Sequence, residues 1–472
     1  MKRINNFEEL RGIRCDVLGM GKSNLPLIDM LIDTGALVTV RDKKSKDAFG
    51  PLCEDLEKKG VRFVLGDTYL DGIDTEVIFR SPGIRPDMGS IPEAIKNGAL
   101  LCSEMELFVS LTKAAIIAIT GSDGKTTTTT LTHLFMNAMS ERYGKSRTYV
   151  GGNIGTPLLS KHTEMSDKDT AVIELSSFQL MTMSFSPARA AITNISKNHL
   201  NWHKGMEEYI EAKRRLSDSA KLVVFNADNA ITADIAAERG KDMILFSLEK
   251  NSYGDIVTSS MKNTAAVFAR GDDIFYSDGN TETHLLKISD IKLPGKHNIE
   301  NYMTAMALTY GLVDTDIYTE TAKNFGGVEH RLELVRELDG VKYYNSSIDS
   351  TPTRTAAALG AVAGSKVVIC GGYDKNISFE PLADTLCEKV RCVVLTGATA
   401  KKIKDAILNC EKYSPEKLRI IEKADFADAV YAASTAAQPD ECVILSPACA
   451  SFDAFADFEE RGRFFKKLVN EL

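Results

Sequence analysis

IIAITGSDGKTT, residues 116–127, is the stretch that decides the fold of this chain. Its apolar half predicts a buried strand, a loop with two glycines follows, and Lys125 and Thr126 open a helix. Glycines let backbone N–H groups turn toward phosphate oxygens, while the helix N-terminus and a lysine add positive charge. A threonine hydroxyl beside them suits Mg²⁺. The stretch predicts a nucleotide phosphate site formed by Gly121, Ser122, Asp123, Gly124, Lys125, Thr126 and Thr127.

The spacing of this loop departs from the most familiar phosphate-binding pattern. The sequence reads G-x-x-G-K-T, and Ile119 stands where that pattern has a further glycine. The competing interpretation is a helix-opening turn in which Lys125 is incidental. We favour the phosphate site because strand, loop and helix all fall where phosphate binding needs them.

Three polar side chains further along the chain extend this candidate site. Glu174 ends an apolar strand, and the tip of a parallel strand is where α/β sheets place carboxylates that bind Mg²⁺. His199 follows the next predicted strand, and Lys213 lies in a predicted helix. Taken singly, each has a plainer interpretation: a solvated strand-end glutamate, a structural histidine, and a solvated lysine paired with Glu211 or Asp218.

Short apolar runs alternate with helical patterns on both sides of this stretch, which is typical of parallel sheets with crossover helices. Between Ile244 and Ile288, short strands separated by Gly-Asp-Asp and Ser-Asp-Gly-Asn turns predict an antiparallel meander instead. We predict an α/β chain with three domains. They are a Rossmann-like domain over residues 1–111, a central P-loop-type ATPase domain with a small antiparallel section over 112–326, and a Rossmann-like domain over 327–472.

Composition limits the classes of protein to which this chain can belong. Its 472 residues exceed one ordinary core, and 44% hydrophobic with 26% charged residues is normal for a soluble globular protein. A net charge of -8 argues against broad nucleic-acid binding. The longest apolar runs are too short to cross a bilayer, and the N-terminus lacks the apolar core of a signal peptide. Nine scattered cysteines without a CxxC pair predict free thiols, so we expect a cytoplasmic protein without membrane insertion.

The N-terminal segment carries a second glycine loop. Gly19-x-Gly21 follows a predicted strand, and Asp42 lies about twenty residues further on, after another strand. This arrangement is typical of dinucleotide sites. Asn24 replaces the third glycine of that pattern, so the residues alone leave a dinucleotide site and a plain strand-end aspartate both open.

In combination, these motifs resemble the Mur ligase family over essentially the whole chain. The phosphate loop alone is shared with many ATPases, but the order and spacing of the full set are specific. The set comprises Thr120–Thr126, Gly151–Gly155, Glu174–Leu180, His199, Ala212-Lys213 and His330-Arg331. Three further runs look like the D-glutamate-adding branch of the family: Gly19–Ser23, Ser446–Asp453 and Phe458–Gly462.

The resemblance implies an ATP-dependent ligase of peptidoglycan precursor synthesis, which adds D-glutamate to UDP-N-acetylmuramoyl-L-alanine. In that family ATP phosphorylates the substrate carboxylate, and the amine of the incoming amino acid attacks the acyl phosphate. The resemblance also implies two Mg²⁺ ions, and Lys213 matches the lysine that the family carbamylates. We expect the protein to be a monomer.

Matching the motifs residue by residue gives each candidate an expected role. The catalytic residues implied are Lys125, Asn153, His199 and Lys213, and the metal ligands are Thr126, Glu174, His199 and carbamylated Lys213. Beyond the phosphate loop, ATP would contact Asn298, Asn301 and Arg331. The UDP part of the substrate would contact Lys22, Ser23, Asp42, Ser81 and Gly83. The amino acid would contact Lys375, Ser451, Phe452 and Phe458.

Two departures from the family pattern limit this transfer of roles. Asn198 and Asn201 lie beside His199, where members often have an acidic residue. The run Asn345–Thr351 differs from the usual Asn-Asp-Ser-Lys-Ala-Thr-Asn, so ribose and amino-acid contacts are not assigned there. Asp349 is the candidate substitute within that run.

Other functions fit parts of the sequence. Within the class, the runner-up is a Mur ligase for a different amino acid or a folylpolyglutamate synthase, and the run Ser446–Ser451 argues against both. An NAD-dependent dehydrogenase would explain Gly19-x-Gly21 but not the second glycine loop. A pseudoenzyme that only binds partners would explain the altered Asn345–Thr351 run but not the intact catalytic set.

Overall fold

The computed structural model describes residues 4–21, 23–197, 202–293, 295–375 and 377–472. The chain folds into two compact units, Met1–Lys323 and Asn324–Leu472. Over the described ranges, strands form two sheets in the first unit and one in the second. The chain is therefore α/β with three domains, as predicted. The division between the units lies close to the predicted boundary at 326/327, while the boundary at 111/112 stays a prediction.

The first sheet is entirely parallel, with strand order β3-β2-β1-β4-β5. Because the order reverses between β1 and β4, the loops after these two strands open a crevice at the carboxyl edge, where such sheets bind ligands. The elements are β1 Arg14–Leu18, α1 Asn24–Thr34, β2 Leu37–Asp42, α2 Leu52–Lys58, β3 Arg62–Leu65, β4 Val77–Arg80, α3 Ile91–Lys96, β5 Leu100–Cys102 and α4 Glu104–Leu111.

The second sheet belongs to the central domain. Its elements are β6 Ala115–Thr120, α5 Lys125–Tyr143, β7 Thr148–Gly152, β8 Thr170–Glu174, α6 Ser177–Leu180, β9 Arg189–Ile192, α7 Met206–Ser219, β10 Leu222–Asn226, α8 Ala230–Arg239, β11 Lys241–Ser247, α9 Tyr253–Ile256, β12 Lys262–Arg270, β13 Asp273–Ser277, β14 Glu282–Lys287, α10 Lys296–Thr309 and α11 Thr315–Asn324. The strand order is β14-β13-β12-β11-β10-β9-β6-β8-β7.

The predicted antiparallel meander is confirmed, since β12, β13 and β14 pair antiparallel in sequence. It is not a separate layer, however, because β12 also pairs parallel with β11. The meander therefore extends the central sheet at one edge. From β11 the sheet continues through β10 and β9 to β6. Because β6 lies between β9 and β8, it is an interior strand.

The strand that leads into the phosphate loop is buried from its second residue onward. Ala118 and Ile119 have no exposed surface, and both α5 and α7 pack against β6. A strand buried on both faces needs apolar side chains at successive positions, which explains the unbroken run Ile116–Ile119. The loop after β6 therefore starts from a rigid base.

The second unit contains the third sheet, with order β15-β16-β20-β17-β18-β19. Its elements are β15 Glu333–Leu338, β16 Val341–Asn345, α12 Pro352–Ala361, β17 Lys366–Gly371, α13 Glu380–Lys389, β18 Cys392–Thr396, α14 Ala400–Leu408, β19 Arg419–Glu422, α15 Phe426–Ala436, β20 Cys442–Leu445 and α16 Phe458–Glu471. β15 pairs antiparallel with β16, and the remaining pairs are parallel. Since β20 inserts between β16 and β17, the loops after these three strands meet at one edge.

The state of the cysteines and the character of the helices complete the description of the fold. All nine cysteines are free thiols, eight of them buried. Across the part of the chain that the structure describes, no helix is both long enough and apolar enough to span a membrane.

Candidate active site

The two glycines of the phosphate loop are required by conformation and by space. Gly124 has a φ of 77°, in the left-handed region, and a Cβ there would lie 2.1 Å from Oδ1 of Asn301. A Cβ on Gly121 would lie 1.9 Å from Oγ1 of Thr193. No other residue fits either position without displacing a neighbour. The helix-opening loop that the sequence predicts is therefore present and tightly enclosed.

The loop is held by the segment that follows β9. The backbone N–H of Ser122 donates to the carbonyl of Asn194 at 2.9 Å, and that of Asp123 donates to Asn194 Oδ1 at 3.0 Å. Thr193 Oγ1 donates to the carbonyl of Asp123 at 2.6 Å. These contacts set the shape of the loop before any ligand binds. Thr193 and Asn194 were not singled out from sequence, because nothing local marks a residue of one strand end as the support of another.

Lys125 brings its charge directly onto the loop. Its Nζ donates to the carbonyl oxygens of Gly121 and Ser122 at 3.0 and 2.9 Å. The ammonium group therefore lies over the same turn whose amides and helix N-terminus attract anions. This arrangement fits a phosphate group, and the assignment of Lys125 to a phosphate site stays a prediction.

Lys213 is buried, so the interpretation as a solvated helical lysine is wrong. Its side chain is 1% exposed, and Nζ donates to the Gly121 carbonyl at 2.7 Å and to Thr120 Oγ1 at 3.3 Å. Nζ also lies 4.7 Å from the ring centroid of Tyr209. Burial, and then the neighbouring charge of Lys125, lower the pKa of Lys213 well below its ordinary value. The helix α7 thus delivers a lysine that favours the neutral amine beneath the phosphate loop.

Glu174 is buried with half of its carboxylate unpaired. It is 1% exposed, and Oε1 accepts from Nδ2 of Asn153 at 2.8 Å. The backbone N–H of Asn153 donates to the Glu174 carbonyl at 2.8 Å, which fixes the two residues against each other. Oε2 has no hydrogen-bond partner among the described residues. A buried carboxylate oxygen without a partner is costly, and a bound cation would satisfy it.

The position of Glu174 also suits a metal ion beside phosphates. In the register of β6 and β8, Glu174 lies opposite Ile119, next to the start of the phosphate loop. Carboxylate and hydroxyl oxygens are hard ligands of the kind that Mg²⁺ prefers, and Thr126 lies in the first turn of α5. The described residues therefore fit the predicted magnesium site. His199, the other predicted ligand, lies outside the described residues, as does Lys22.

The predicted adenine contacts have a further task in the structure. Asn301 is buried, its Oδ1 accepts from Thr128 Oγ1 at 3.3 Å, and its Nδ2 donates to Oδ1 of Asn298 at 3.3 Å. The same side chain lies against Gly124. Asn301 therefore ties α10 to α5 at the phosphate loop. Contact with adenine stays a prediction for both asparagines.

The second glycine loop, in the first domain, is organised around Asp42. Oδ2 of Asp42 accepts from the backbone N–H of Met20 at 2.8 Å, and Oδ1 accepts from that of Lys44 at 2.9 Å. Asp42 is thus more than a strand-end residue, because it fixes the loop after β1 to the end of β2. Ser23 stands immediately before α1.

The structure brings Ser81 to the same loop. Asn24 Nδ2 donates to the Gly19 carbonyl at 2.8 Å and to Ser81 Oγ at 3.0 Å. A Cβ on Gly19 would lie 2.6 Å from Ser81 Oγ. Asn24, which breaks the dinucleotide pattern, therefore links the loops after β1 and β4. Gly83 lies in the second of these loops, and its carbonyl accepts from Trp202 Nε1 at 3.1 Å.

In the second unit, the predicted amino-acid contacts gather at the carboxyl edge of the third sheet. Lys375 is exposed, and Nζ donates to the Ser350 carbonyl at 3.4 Å. Phe452 is 65% exposed, and its ring centroid lies 6.0 Å from that of Tyr373. A cation and two uncovered aromatic rings thus share this edge. Tyr373 was not identified from sequence as a site residue.

Arg461 is the buried connector of this edge. Its guanidinium donates to Oγ and O of Ser347 at 3.0 and 2.9 Å, and to the carbonyls of Ala450 and Cys449 at 3.1 Å each. Ser451, which is buried, follows directly on this contact. Burial lowers the pKa of Arg461 to about 10. One side chain therefore joins the loops after β16 and β20 and the first turn of α16, where Phe458 begins the helix.

The altered Asn345–Thr351 run is well packed. Asp349 is buried, and its Oδ2 accepts from Ser446 Oγ at 2.8 Å. Burial raises the pKa of Asp349 above its ordinary value. Asp349 therefore fastens the loop after β16 to the loop after β20. Nearby, His330 is buried with a φ of 64° and is hydrogen-bonded to Asn345, while Arg331 is exposed.

Sequence comparison identifies the class to which this fold and site belong. The sequence model of the Mur ligase middle domain matches residues 119–309, and that of the Mur ligase glutamate ligase domain matches residues 330–449. Together they span more than half of the chain. The chain belongs to the Mur ligase family.

Full-length relatives narrow the class further. The UDP-N-acetylmuramoylalanine–D-glutamate ligase of Ruminiclostridium cellulolyticum is 43% identical over 100% of this chain and 99% of the relative. The enzyme of the same name from Clostridium novyi is 42% identical over 100% of both chains. Similarity at this level extends over all three domains.

Solved structures share the fold. A UDP-N-acetylmuramoyl-L-alanyl-D-glutamate–2,6-diaminopimelate ligase is 17% identical, with a TM-score of 0.54 over 98% of this chain and 93% of that chain. MurF from Acinetobacter baumannii is 16% identical, with a TM-score of 0.53 over 80% of this chain and 87% of that chain.

Proposed function

We propose that this protein joins D-glutamate to UDP-N-acetylmuramoyl-L-alanine in peptidoglycan precursor synthesis, with ATP converted to ADP and phosphate. The observation that carries the proposal is the half-unpaired, buried carboxylate of Glu174 beside a phosphate loop that holds two lysines. The full-length relatives, which bear the name of this reaction, supply the identity of the substrates.

The reaction consists of two transfers. A carboxylate oxygen of the UDP substrate attacks the γ-phosphorus of ATP, the bond to the β,γ-bridging oxygen breaks, and ADP leaves. The amine of D-glutamate then attacks the carbonyl carbon of the acyl phosphate. The amide bond forms as phosphate leaves, and the amine gives up a proton. Both steps crowd anions together, so positioning and neutralisation of charge supply most of the catalysis.

Positive charge at the phosphate loop comes from Lys125 and from the start of α5. Lys125 and the N-terminus of α5 stabilise the charge that develops on the transferring phosphoryl group. Thr126, Glu174, His199 and Lys213 as a carbamate would hold Mg²⁺, and we propose two ions. Bound Mg²⁺ would neutralise phosphate oxygens and align them for in-line transfer.

The environment of Lys213 supports the proposed carbamate. A lysine attacks CO₂ only as the neutral amine, and burial favours that form here. The product carries two oxygens and a negative charge, which suits a hard cation where an ammonium group would repel it. The hydrogen bond from Lys213 Nζ to the Gly121 carbonyl supports a role for this group at the phosphate loop.

The remaining roles follow the division of the chain into sheets. We propose that the first domain binds the UDP moiety through Lys22, Ser23, Asp42, Ser81 and Gly83. The amino acid would contact Lys375, Ser451, Phe452 and Phe458, and ATP would also contact Asn298, Asn301 and Arg331. We propose a cytoplasmic monomer.

The test is phosphate release with ATP, Mg²⁺ and UDP-N-acetylmuramoyl-L-alanine across a panel of D- and L-amino acids. We expect release with D-glutamate and little with L-glutamate, L-lysine or diaminopimelate. Omission of the UDP substrate is the control for uncoupled ATP hydrolysis. Preferred release with another amino acid would assign the chain to a different ligase of the family.

A further inference from the structure

The loop between β4 and α3 is bracketed by two arginines. Arg80 is the last residue of β4, and Arg85 follows the run Ser81–Ile84. Ser81 and Gly83, two of the proposed UDP contacts, lie between them. Both arginines belong to the first domain and donate hydrogen bonds to residues of the central domain.

The guanidinium group of Arg80 donates hydrogen bonds both to the loop and to the segment that contains α6. It is buried, and Nη1 donates to the carbonyls of Ser81, Pro82 and Ile84. Nη2 donates to the Phe178 carbonyl at 2.9 Å and to Thr182 Oγ1 at 3.2 Å. Phe178 lies in α6, the helix that follows β8 and therefore follows Glu174.

Arg85, at the other end of the loop, binds Trp202 and Glu208 of the central domain. Nη1 donates to the Trp202 carbonyl at 2.6 Å, and both Nη atoms bind the carboxylate of Glu208 at 2.9 and 3.0 Å. The guanidinium lies 4.9 Å from the Trp202 ring centroid, and Trp202 in turn donates to the Gly83 carbonyl. The hydrogen bonds from Arg85 lower the pKa of Glu208 to about 2. The pair is therefore ionised at any working pH.

The residues that Arg85 binds are in contact with the residues around α6 that Arg80 binds. Glu208 Oε2 and His203 Nδ1 are hydrogen-bonded at 3.2 Å, and His203 Nε2 and Ser177 Oγ at 2.9 Å. Ser177 is the first residue of α6, and the Phe178 and Trp202 rings pack at 4.3 Å. The two arginines thus close a loop of contacts around the start of α6, next to the strand that ends at Glu174.

We propose that Arg80 and Arg85 are positioning residues, which lock the UDP-binding loop to the α6 end of the catalytic site. The inference rests on the proposed function, because it assumes that Ser81–Gly83 holds the UDP moiety while Glu174 serves the metal site. In a reaction that depends on alignment, a displacement of about 1 Å costs about 10²-fold in rate. Guanidinium groups suit this task because their donors form a rigid, planar fork.

The test compares Arg85→Ala with Arg14→Ala. Arg14 is the control: Arg85 pairs with Asp87 as well as with Glu208, and Arg14 likewise pairs with two carboxylates, Asp74 and Glu76, but both of these belong to its own domain. We expect Arg85→Ala to lower kcat about tenfold or more while the Kd of the UDP substrate, measured by calorimetry, changes less than about threefold. Added guanidinium ion at millimolar concentration should restore part of the lost kcat in Arg85→Ala and none in the control.

Two further variants keep the test decisive if Arg85→Ala folds poorly. Arg85→Lys keeps the charge but not the fork, and Glu208→Gln keeps the shape but not the charge. Both should fall between wild type and Arg85→Ala in kcat. If kcat in Arg85→Ala, Arg85→Lys and Glu208→Gln equals that of Arg14→Ala, the two arginines have no positioning role. The same conclusion follows if only the Kd of the UDP substrate changes. A wild-type protein without D-glutamate-dependent phosphate release would contradict the proposed function instead.

Discussion

The two glycine loops of the first unit share a backbone plan and differ in how their charged neighbours are paired. Gly19–Gly21 and Gly121–Gly124 each follow an interior strand that pairs parallel with both neighbours, and each leads into a helix. In both, a residue from another part of the sheet leaves no room for a Cβ: Ser81 at the first loop and Thr193 at the second. The shared plan fits our proposal that both loops receive phosphate-bearing ligands.

The two loops differ in whether their charged and polar side chains have hydrogen-bond partners. At the first loop, both oxygens of Asp42 accept backbone N–H groups, and Asn24 links the two loops. At the second loop, one oxygen of Glu174 lacks a partner among the described residues, and Lys213 is buried as a lysine with a lowered pKa. We propose that the first loop, whose polar groups have partners, only binds its ligand. A buried lysine with a lowered pKa beside an unpaired carboxylate oxygen is typical of reactive sites, so we propose that the chemistry takes place at the second loop.

Lys125→Ala should give the largest effect. Turnover should fall by about 10²–10³-fold, because the substitution removes a positive charge aimed at the transferring phosphoryl group. Phosphate release measures the effect, and Lys113→Ala, at an exposed lysine just before β6, is the control. A folded Lys125→Ala protein with near-normal turnover would move the chemistry away from the second loop.

Lys213→Ala should lower turnover by about 10–100-fold if the lysine acts as a carbamate ligand. Short carboxylic acids added to the assay should restore part of the activity, because they bring back a pair of anionic oxygens. The exposed Lys221 provides the control variant, whose activity these acids should leave unchanged. Full turnover of Lys213→Ala at saturating ATP and Mg²⁺ would remove the carbamate from the mechanism.

Glu174→Gln should separate function from stability. The amide keeps the acceptor for Asn153 but removes the negative charge, so the Mg²⁺ concentration for half-maximal activity should rise about tenfold. The melting temperature without Mg²⁺ should stay the same or rise, because an uncompensated buried carboxylate has been neutralised. An unchanged response to Mg²⁺ would show that Glu174 is a structural residue of β8.

Sequence patterns predicted the parts of this molecule that depend on neighbours along the chain. The run Ile116–Ile119 is apolar at every position because β6 is buried on both faces, so strand, loop and helix could be placed together. The antiparallel section could also be predicted, because its turns and its alternation of apolar and polar residues depend only on neighbours along the chain. Its parallel pairing with β11 was not visible, because pairing depends on partners far away in sequence.

The supports of the site were beyond local patterns. Arg85 lies in a loop without any motif to single it out, yet it binds Glu208, which is 123 residues further along the chain. Asn301 shares a contact with Thr128 across 173 residues. A single sequence records which groups are charged or polar, but not which of them will be brought together. Candidates for the reacting groups could therefore be proposed from family motifs, whereas the groups that hold them could not.

Asp42→Asn should give the smallest effect and should act on binding alone. An amide offers one acceptor oxygen where Asp42 offers two, so the N–H of Met20 or of Lys44 loses its partner. One lost hydrogen bond of about 1 kcal/mol should raise the KM for the UDP substrate about fivefold. The kcat should change little, because the reacting groups belong to the other loop. Asp47→Asn, at an exposed aspartate of the same domain, is the control.

Calorimetry with UDP-N-acetylmuramoyl-L-alanine and with NAD tests the same assignment from the ligand side. The wild-type protein should bind the UDP substrate, and Asp42→Asn should weaken that binding by the factor seen in KM. NAD should give no heat, because Asn24 fills the place of the third glycine, which that cofactor's pyrophosphate site requires. Tight binding of NAD without binding of the UDP substrate would make the first loop a dinucleotide site. A fall in kcat without a change in KM would give it a part in the chemistry, and the division between a recognition loop and a reaction loop would then fail.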